Sequence, residues 1–263
     1  MKRILRIVLV CVCTAVFIFS AGQLVKTGLN YRKAQKSYES LQQQYVMTTQ
    51  PPVGENREDE PTEGGKAPEQ TQPPKPSAPI TVDFSALLER NRDTVGWLYS
   101  PDTPIHYPVV QARDNAEYLY TGLDGQYLMG GTLFADYRNG AVGTDSNYII
   151  YGHNMKDSSM FGTLENYKKQ AYYDAHPVMY FLTPEGDYTV ELYAGFLAEQ
   201  DDALYSLDGS PEAISALLAR AKRNSTFSSS VEIGENDLLL TFSTCAYEFD
   251  GARYILIGRL VPL

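Results

Sequence analysis

The run LLLTFSTC (residues 238–245) is followed closely by RYILIGRL (253–260), and these two stretches decide how the chain is expected to fold. Both are dominated by apolar and β-branched or aromatic residues, a composition that favours buried β-strands. Between them, Asp250 and Gly251 form a typical turn dipeptide. The sequence therefore predicts an antiparallel pair in which the end of the first strand lies beside the start of the second.

Side chains with reactive chemistry stand at that end of the predicted pair. Cys245 closes the first strand and Arg253 opens the second, so antiparallel pairing would make them neighbours. A positive charge favours a thiolate, and an arginine can donate hydrogen bonds to an oxyanion. His153 follows the apolar run 147–151 and Gly152, a residue that permits an unusual backbone turn. Because a cysteine nucleophile needs a base and an oxyanion stabiliser, Cys245, His153 and Arg253 are candidate catalytic residues.

The other cysteines and histidines show no metal-site pattern. Cys11 and Cys13 lie in the N-terminal apolar stretch, which leaves Cys245 without a partner for an internal disulfide. Taken alone, Cys245 is equally compatible with a buried, unreactive cysteine. His106 lies in a predicted strand and His176 in a predicted loop, and we expect both to be structural. Since the spacing does not match that of zinc ligands, no metal and no cofactor is expected.

The rest of the C-terminal part alternates strand-like runs with turn residues, which is typical of a β-barrel with peripheral helices. We therefore expect a mainly β fold, with a barrel of about eight strands. The predicted strands are residues 95–99, 105–110, 131–135, 146–151, 178–183, 187–198, 237–244 and 253–260. The predicted helices are residues 83–90, 115–121, 160–170 and 211–223. The last helix is the clearest, with Ser210 to cap it and Pro211 in its first turn.

The N-terminus has the plan of a membrane anchor. A basic start leads into the apolar run 4–25, close to the roughly 20 residues that a bilayer-spanning helix needs. A secretory signal peptide has the same plan, but bulky Phe19 stands where a small residue would mark a cleavage site. A lipoprotein is also less favoured, because valine precedes both Cys11 and Cys13. The sequence therefore predicts an N-terminal transmembrane helix.

The stretch after this helix resembles a tether. The positive-inside rule keeps the N-terminus in the cytoplasm, although a second basic group at residues 26–36 weakens that prediction. Residues 31–45 form a predicted short helix, and residues 48–79, rich in Pro, Gln, Glu and Gly, form a predicted extended spacer. The predicted organisation is an anchor (1–25), an extracytoplasmic stalk and Pro-rich linker (26–79), and a catalytic domain (80–263).

Several motifs resemble those of the sortase family. LTFSTC (240–245) resembles the strand that ends in the nucleophile, YGHNM (151–155) resembles the histidine motif, and Arg253 matches the arginine position. Further similarity points to class B and extends over about residues 80–263. It lies in YPVVQ (107–111), DN (114–115), YL (118–119), GTLFADYRN (131–139), MFG (160–162) and YEF (247–249).

The resemblance implies a cysteine transpeptidase on the outer face of a Gram-positive cell membrane, acting on secreted proteins that carry a C-terminal sorting signal. Cys245 would attack the signal's threonine carbonyl and form a thioester. His153 would protonate the leaving amine and then deprotonate the incoming amine of a peptidoglycan precursor, while Arg253 would hold the carbonyl or oxyanion. Phe242 replaces the commoner leucine, and Ala246 stands where some class B members have an acidic residue. A fourth, acidic catalytic residue is therefore not assigned.

Other functions remain to be distinguished. A sortase of another class, such as a pilin polymerase, would share the chemistry but differ in its sorting signal and acceptor. A hydrolytic cysteine protease would transfer the acyl group to water, although no papain-like or caspase-like signature surrounds Cys245. A surface-binding domain on a stalk would need no reactive thiol. Nucleic acid is not an expected partner, because the net charge is −10.

Overall fold

The computed structural model describes residues 2–49, 77–234 and 236–263. Most of the predicted Pro-rich linker, residues 50–76, lies outside this part of the chain. The strands are β1 (Val46–Thr48), β2 (Ile80–Val82), β3 (Thr94–Tyr99), β4 (His106–Val110), β5 (Leu133–Ala135), β6 (Asn147–Tyr151), β7 (Val178–Thr183), β8 (Gly186–Glu199), β9 (Leu238–Cys245) and β10 (Ala252–Pro262). The α-helices are α1 (Lys2–Tyr45), α2 (Phe84–Arg90), α3 (Gln170–Ala175) and α4 (Pro211–Asn224).

Strands β3 to β10 close a barrel in the order β10-β8-β7-β3-β4-β5-β6-β9. The pairs β4–β5 and β6–β9 are parallel, and the other neighbours are antiparallel. Each of the eight predicted strands is present, which confirms the predicted mainly β barrel. Since closure pairs both edges of every strand, the barrel leaves no free edge for unwanted association. Strands β1 and β2 form a separate antiparallel ribbon.

Alternation along the strands divides the apolar side chains between two layers. One buried cluster fills the barrel, and all eight strands contribute to it; examples are Leu98, Val109, Leu133, Ile150, Phe181, Val190, Phe242 and Leu256. Neighbouring positions face outward, so Leu239 and Ile255 pack with Ile214 and Ala221 of α4. Because successive side chains point to opposite faces, a sheet covered on both faces needs apolar residues at consecutive positions, as in these strands.

Two predicted helices are shorter in the structure than in the sequence pattern. The segment 115–121 contains only the 3₁₀ turn Glu117–Leu119, whose start is held by Asp114 accepting hydrogen bonds from backbone N–H groups. The segment 160–170 contains a second 3₁₀ turn, Leu164–Lys168, before α3. In contrast, α4 begins at Pro211 with Ser210 as its N-cap, which confirms that prediction.

The N-terminal helix α1 is one unbroken helix, where the sequence pattern predicted an anchor and a separate short helix. Its apolar part is a candidate membrane span, with a mean hydropathy of 2.6 over its best window. Its C-terminal part docks on the barrel through Ala34, Tyr38, Leu41 and Tyr45, which are buried and recur at helical spacing. The residues after the anchor therefore contact the folded domain directly. The boundaries of the predicted anchor, stalk and catalytic domain stay predictions.

Candidate active site

Cys245 and Arg253 are direct partners across two antiparallel strands. The register of β9 and β10 pairs Cys245 with Arg253, as the sequence predicted. The connecting loop turns at Gly251, whose φ of 74° lies in the region that favours glycine. Beyond the pair, the Ala246 N–H donates to the Ala252 carbonyl at 2.9 Å and closes the loop. Both side chains are partly exposed, so the nucleophile candidate is reachable from solvent.

His153 follows β6, the parallel neighbour of β9 in the barrel. Two hydrogen bonds tie the ends of these strands together: the Gly152 N–H donates to the Ser243 carbonyl at 3.2 Å, and the Thr244 hydroxyl donates to the Gly152 carbonyl at 2.8 Å. The sequence-based reason for Gly152 was wrong, because its φ is not positive. A Cβ there would instead lie 2.4 Å from Leu133, so close packing requires the glycine.

The imidazole of His153 has a defined hydrogen bond. Its Nε2 lies 2.8 Å from the carbonyl oxygen of Leu119. Since a carbonyl only accepts, Nε2 must carry the proton in this bond, and Nδ1 is left as the nitrogen that can take up or give back a proton. The ring of Tyr120 lies 5.2 Å from the imidazole, centroid to centroid. Leu119 and Tyr120 therefore orient the histidine candidate.

A polar network joins the histidine segment to the cysteine strand. The Asn154 side-chain amide donates to the Cys245 carbonyl at 2.8 Å and to Glu165 at 2.7 Å. Lys168 bridges Glu165 and Glu248, and Glu248 lies in the loop between Cys245 and Arg253. The hydrogen bond from Lys168 lowers the pKa of Glu248 below its ordinary value. This acidic residue is thus a lysine partner that holds the loop.

The three candidates line one cavity of about 400 Å³ at this end of the barrel. Arg253 donates to its own neighbour, the Ala252 carbonyl, at 3.0 Å. In the described part of the chain, no carboxylate forms an ion pair with Arg253. Its guanidinium is therefore available to an anionic or carbonyl oxygen entering the cavity.

Sequence reasoning missed the polar wall of this cavity. Asp136 is fully buried and accepts hydrogen bonds from Arg138, Tyr151 and Asn115. Burial alone would raise the pKa of Asp136, but these hydrogen bonds outweigh it and leave the pKa below its ordinary value. A buried carboxylate with this many donors rigidifies its surroundings. Asp136 lies in the sequence motif at residues 131–139, but only the fold brings this motif to Tyr151.

A second missed group is Tyr205, on a 3₁₀ turn after β8. Its hydroxyl lies 2.7 Å from the Ser243 hydroxyl, and burial raises its pKa to about 12. Tyr205 therefore stays protonated and can serve as a neutral hydrogen-bonding group in the cavity. No local pattern marks this tyrosine, because the chain contains 20 of them.

The other two histidines lie elsewhere. His106 accepts a hydrogen bond at Nδ1 from the indole N–H of Trp97 at 2.8 Å, and burial lowers its pKa to about 4. His176 packs against Tyr172 with ring centroids 4.6 Å apart. Neither lines the cavity that contains Cys245, in agreement with the expected structural roles.

Known proteins resemble this chain in sequence and in fold, although no family model matches it. Sortase B of Listeria monocytogenes is 36% identical over 186 residues, which cover 69% of this chain and 75% of that protein. Sortase B of Staphylococcus aureus is 28% identical over 266 residues, covering 100% of this chain and 99% of that protein.

The fold points to the same group. A Staphylococcus aureus sortase B–substrate complex superposes with a TM-score of 0.65 at 28% identity, covering 68% of this chain and 85% of the other. The covered 68% of this chain is about as long as the barrel together with its surrounding helices. The closed eight-stranded barrel, the paired cysteine and arginine, and the identity to the Listeria protein lead to one conclusion. The chain belongs to the sortase B family, whose members are cysteine transpeptidases.

Proposed function

We propose that this enzyme cleaves a C-terminal sorting signal of secreted proteins and transfers the acyl group to an amine of a peptidoglycan precursor. The single observation that carries the proposal is the register pairing of Cys245 with Arg253 at a cavity that His153 also lines. A nucleophile, a proton carrier and an oxyanion donor thus border one space. These are the groups that amide cleavage through a covalent intermediate needs.

The first half-reaction forms a thioester. The Cys245 thiol gives its proton to the free Nδ1 of His153 as the sulfur attacks the threonine carbonyl carbon of the signal, and the carbonyl π electrons move to oxygen. The Arg253 guanidinium stabilises this oxyanion by charge-assisted hydrogen bonds. When the intermediate collapses, the C–N bond breaks, and His153 delivers a proton from Nδ1 to the leaving amine.

The second half-reaction resolves the thioester. The acceptor amine attacks the same carbonyl carbon, His153 removes a proton from the attacking nitrogen, and the C–S bond breaks. His153 then passes that proton to the departing sulfur, so the products are a new amide and the regenerated Cys245 thiol. Because His153 acts as acid in one step and base in the other, it needs one nitrogen free to exchange protons. The bond from Nε2 to Leu119 leaves Nδ1 for that task.

We further propose that α1 anchors the enzyme in the membrane, with the N-terminus in the cytoplasm and the barrel outside. Large apolar side chains such as Leu9, Phe17 and Leu24 are exposed along this helix. Their exposure to water would be unfavourable, whereas a bilayer would bury them. Protease added to intact protoplasts should digest the barrel, and protection of the barrel would contradict this orientation.

The activity is tested with the purified full-length chain in detergent, a panel of sorting-signal peptides and an amine acceptor. Intact-protein mass spectrometry should show an acyl adduct that is absent from Cys245→Ala, and product masses should show ligation to the amine. Cys11→Ala with Cys13→Ala is the matched control and should retain the adduct. Release of the free acid alone, despite added amine, would indicate a hydrolase instead. The signal that reacts best would identify the sorting motif that this enzyme prefers.

A further inference from the structure

We propose that the loop of residues 121–131 rests on the lipid headgroups, so that the catalytic cavity opens toward the membrane from which α1 emerges. This loop, here called the membrane-facing loop, connects the turn that carries Leu119 and Tyr120 to β5. The proposal rests on the membrane anchoring proposed above. It adds which side of the barrel faces the bilayer and names a lipid surface as a binding partner.

Contacts along α1 show which parts of the barrel lie nearest the membrane. The Lys33 ammonium donates to the Tyr127 carbonyl at 3.4 Å, the Tyr38 hydroxyl to Gly131 at 2.9 Å, and the Gln42 amide to His106 at 2.9 Å. A helix rises about 1.5 Å per residue, so helix positions 33, 38 and 42 lie about 12, 20 and 26 Å beyond residue 25. The membrane-facing loop is therefore the first part of the barrel that α1 meets.

The contact at Lys33 sets the height of the loop tip. The Lys33 ammonium lies 3.4 Å from the Tyr127 carbonyl. Cα–Cβ bonds on a helix tilt toward its N-terminus, so the lysine side chain leaves the backbone in the direction of the membrane. The headgroup layer extends about 5–8 Å beyond the hydrocarbon on each side. A tyrosine side chain spans most of the remaining distance.

The chemistry of the loop suits that layer. Tyr127 and Tyr120 are 60% and 53% exposed, and their rings stack with centroids 6.4 Å apart. Tyrosine is enriched where bilayers meet water, because its ring is apolar and its hydroxyl is polar. Exposed basic residues also follow the apolar run of α1; Lys26 and Arg32 lie nearest the bilayer, about 1.5 and 10 Å beyond residue 25. Ammonium and guanidinium groups at these heights can bind lipid phosphates.

The loop is coupled directly to the catalytic cavity. Tyr120 stacks on Tyr127 on one side and lies 5.2 Å from the His153 ring on the other. Leu119, one residue earlier, accepts the hydrogen bond from His153. The rim of the cavity next to His153 therefore continues into the surface proposed to touch lipid. Such an arrangement presents the cavity to substrates that are themselves held at the membrane.

An exposed aromatic pair could equally contact a peptide or a sugar. The continuity of α1 favours a lipid surface over both. A flexible tether would leave the orientation of the barrel undefined. Here the helix that contains the candidate span is also the helix that docks, through Ala34, Tyr38, Leu41 and Tyr45. The span therefore sets the height and the facing side of the barrel.

The test uses tryptophan quenching in the full-length chain reconstituted into phosphatidylcholine vesicles. The chain has one tryptophan, Trp97, which is fully buried. Tyr127→Trp adds a reporter on the membrane-facing loop. The matched control Glu185→Trp adds one in the exposed β7–β8 turn, at the end of β8 opposite the residue that pairs with Arg253. Nitroxide-labelled headgroups should quench the reporter at 127 several-fold more strongly than the reporter at 185.

A helix insertion sharpens the test. Seven helix-forming residues inserted after Gly28 add about 10 Å and turn the docked part by only about 20°. Quenching of the 127 reporter should then fall to the level of the 185 reporter, while co-sedimentation with vesicles stays unchanged. Equal quenching of the two reporters before insertion would overturn the facing proposed here. Failure of the parent chain to co-sediment would overturn the anchoring itself, and the facing with it.

Discussion

The two sides of the catalytic cavity are held in different ways. On one side, Cys245 and Arg253 belong to paired strands, and their relative position follows from a ladder of backbone hydrogen bonds that continues to Leu238 and Leu260. On the other side, His153 lies beyond the end of β6 and is oriented by the Leu119 carbonyl, with Asn154 beside it. A backbone ladder survives most side-chain substitutions, whereas an orientation set by single hydrogen bonds does not.

The largest effect is expected from removing the histidine. His153→Ala should lower kcat/KM for transpeptidation by about 10³-fold, because general acid–base catalysis typically contributes 10²–10⁴-fold. His176→Ala is the matched control and should stay close to the parent, since His176 packs on Tyr172 away from the cavity. Steady-state kinetics with a reactive peptide and an amine measure both. Equal losses in the two variants would contradict the assignment of His153.

The strand-held side is tested by Arg253→Lys. Lysine keeps the charge but lacks the planar fork, so kcat should fall by about 10²-fold, as when one oxyanion donor is lost. The control is Arg259→Lys, on the same strand but paired with Glu191 at the other end of the barrel. That variant should turn over normally. Near-normal turnover in Arg253→Lys would contradict the proposed role of the planar guanidinium in binding the oxyanion.

A smaller effect is expected from removing the Asn154 side chain, which links the two sides of the cavity. Asn154→Ala removes the hydrogen bonds to the Cys245 carbonyl and to Glu165, so His153 and Cys245 should lose their fixed relation. We expect kcat to fall by about 10-fold with little change in KM, because misplacement of reacting groups slows chemistry more than binding. Asn166→Ala, in the neighbouring 3₁₀ turn, is the control. A fall in Tm without any change in kcat would make Asn154 purely structural.

The smallest effect concerns His106 of β4, whose protonation lowers the stability of the fold at acidic pH and leaves turnover at neutral pH unchanged. The folded-state pKa of His106 is about 4, below the ordinary 6.5, so the unfolded chain takes up the proton first as pH falls. The stability it contributes is complete above about pH 6.5 and is lost toward pH 4, by on the order of 2 kcal/mol. Urea unfolding at pH 7 and pH 4.5 measures this. His106→Asn should flatten the pH dependence, and an unchanged slope would contradict it.

Much of this molecule could be predicted from local patterns. Apolar runs bounded by turn residues identified each barrel strand, because β-propensity and turn formation are local properties of the sequence. The short loop between β9 and β10 made the pairing of Cys245 with Arg253 predictable, since a hairpin fixes its own register. Ser210 and Pro211 likewise predicted the start of α4, because capping is a local interaction.

Other features depended on contacts between distant segments. The short turns within residues 115–121 and 160–170 replaced predicted helices because their backbone groups bond to distant segments. The Tyr118 carbonyl accepts from the Thr132 N–H and the Leu119 carbonyl from His153, while the Phe161 N–H donates to the His153 carbonyl. Gly152 proved necessary for packing against Leu133, a residue 19 positions earlier in the chain. The catalytic roles of Cys245, His153 and Arg253 stay predictions that the variants above can test.

By itself, the sequence determined the barrel class, the family resemblance, the candidate membrane span and the strand-held pair of candidates, because each depends on residues close together in the chain. Only the tertiary structure decided which nitrogen of His153 is left free, which buried carboxylate organises the cavity wall, and where α1 docks. The contacts of His153 with Leu119, of Tyr151 with Asp136 and of Tyr38 with Gly131 join residues 34, 15 and 93 positions apart. Such contacts leave no periodic trace in the sequence, because only closure of the barrel brings their partners together.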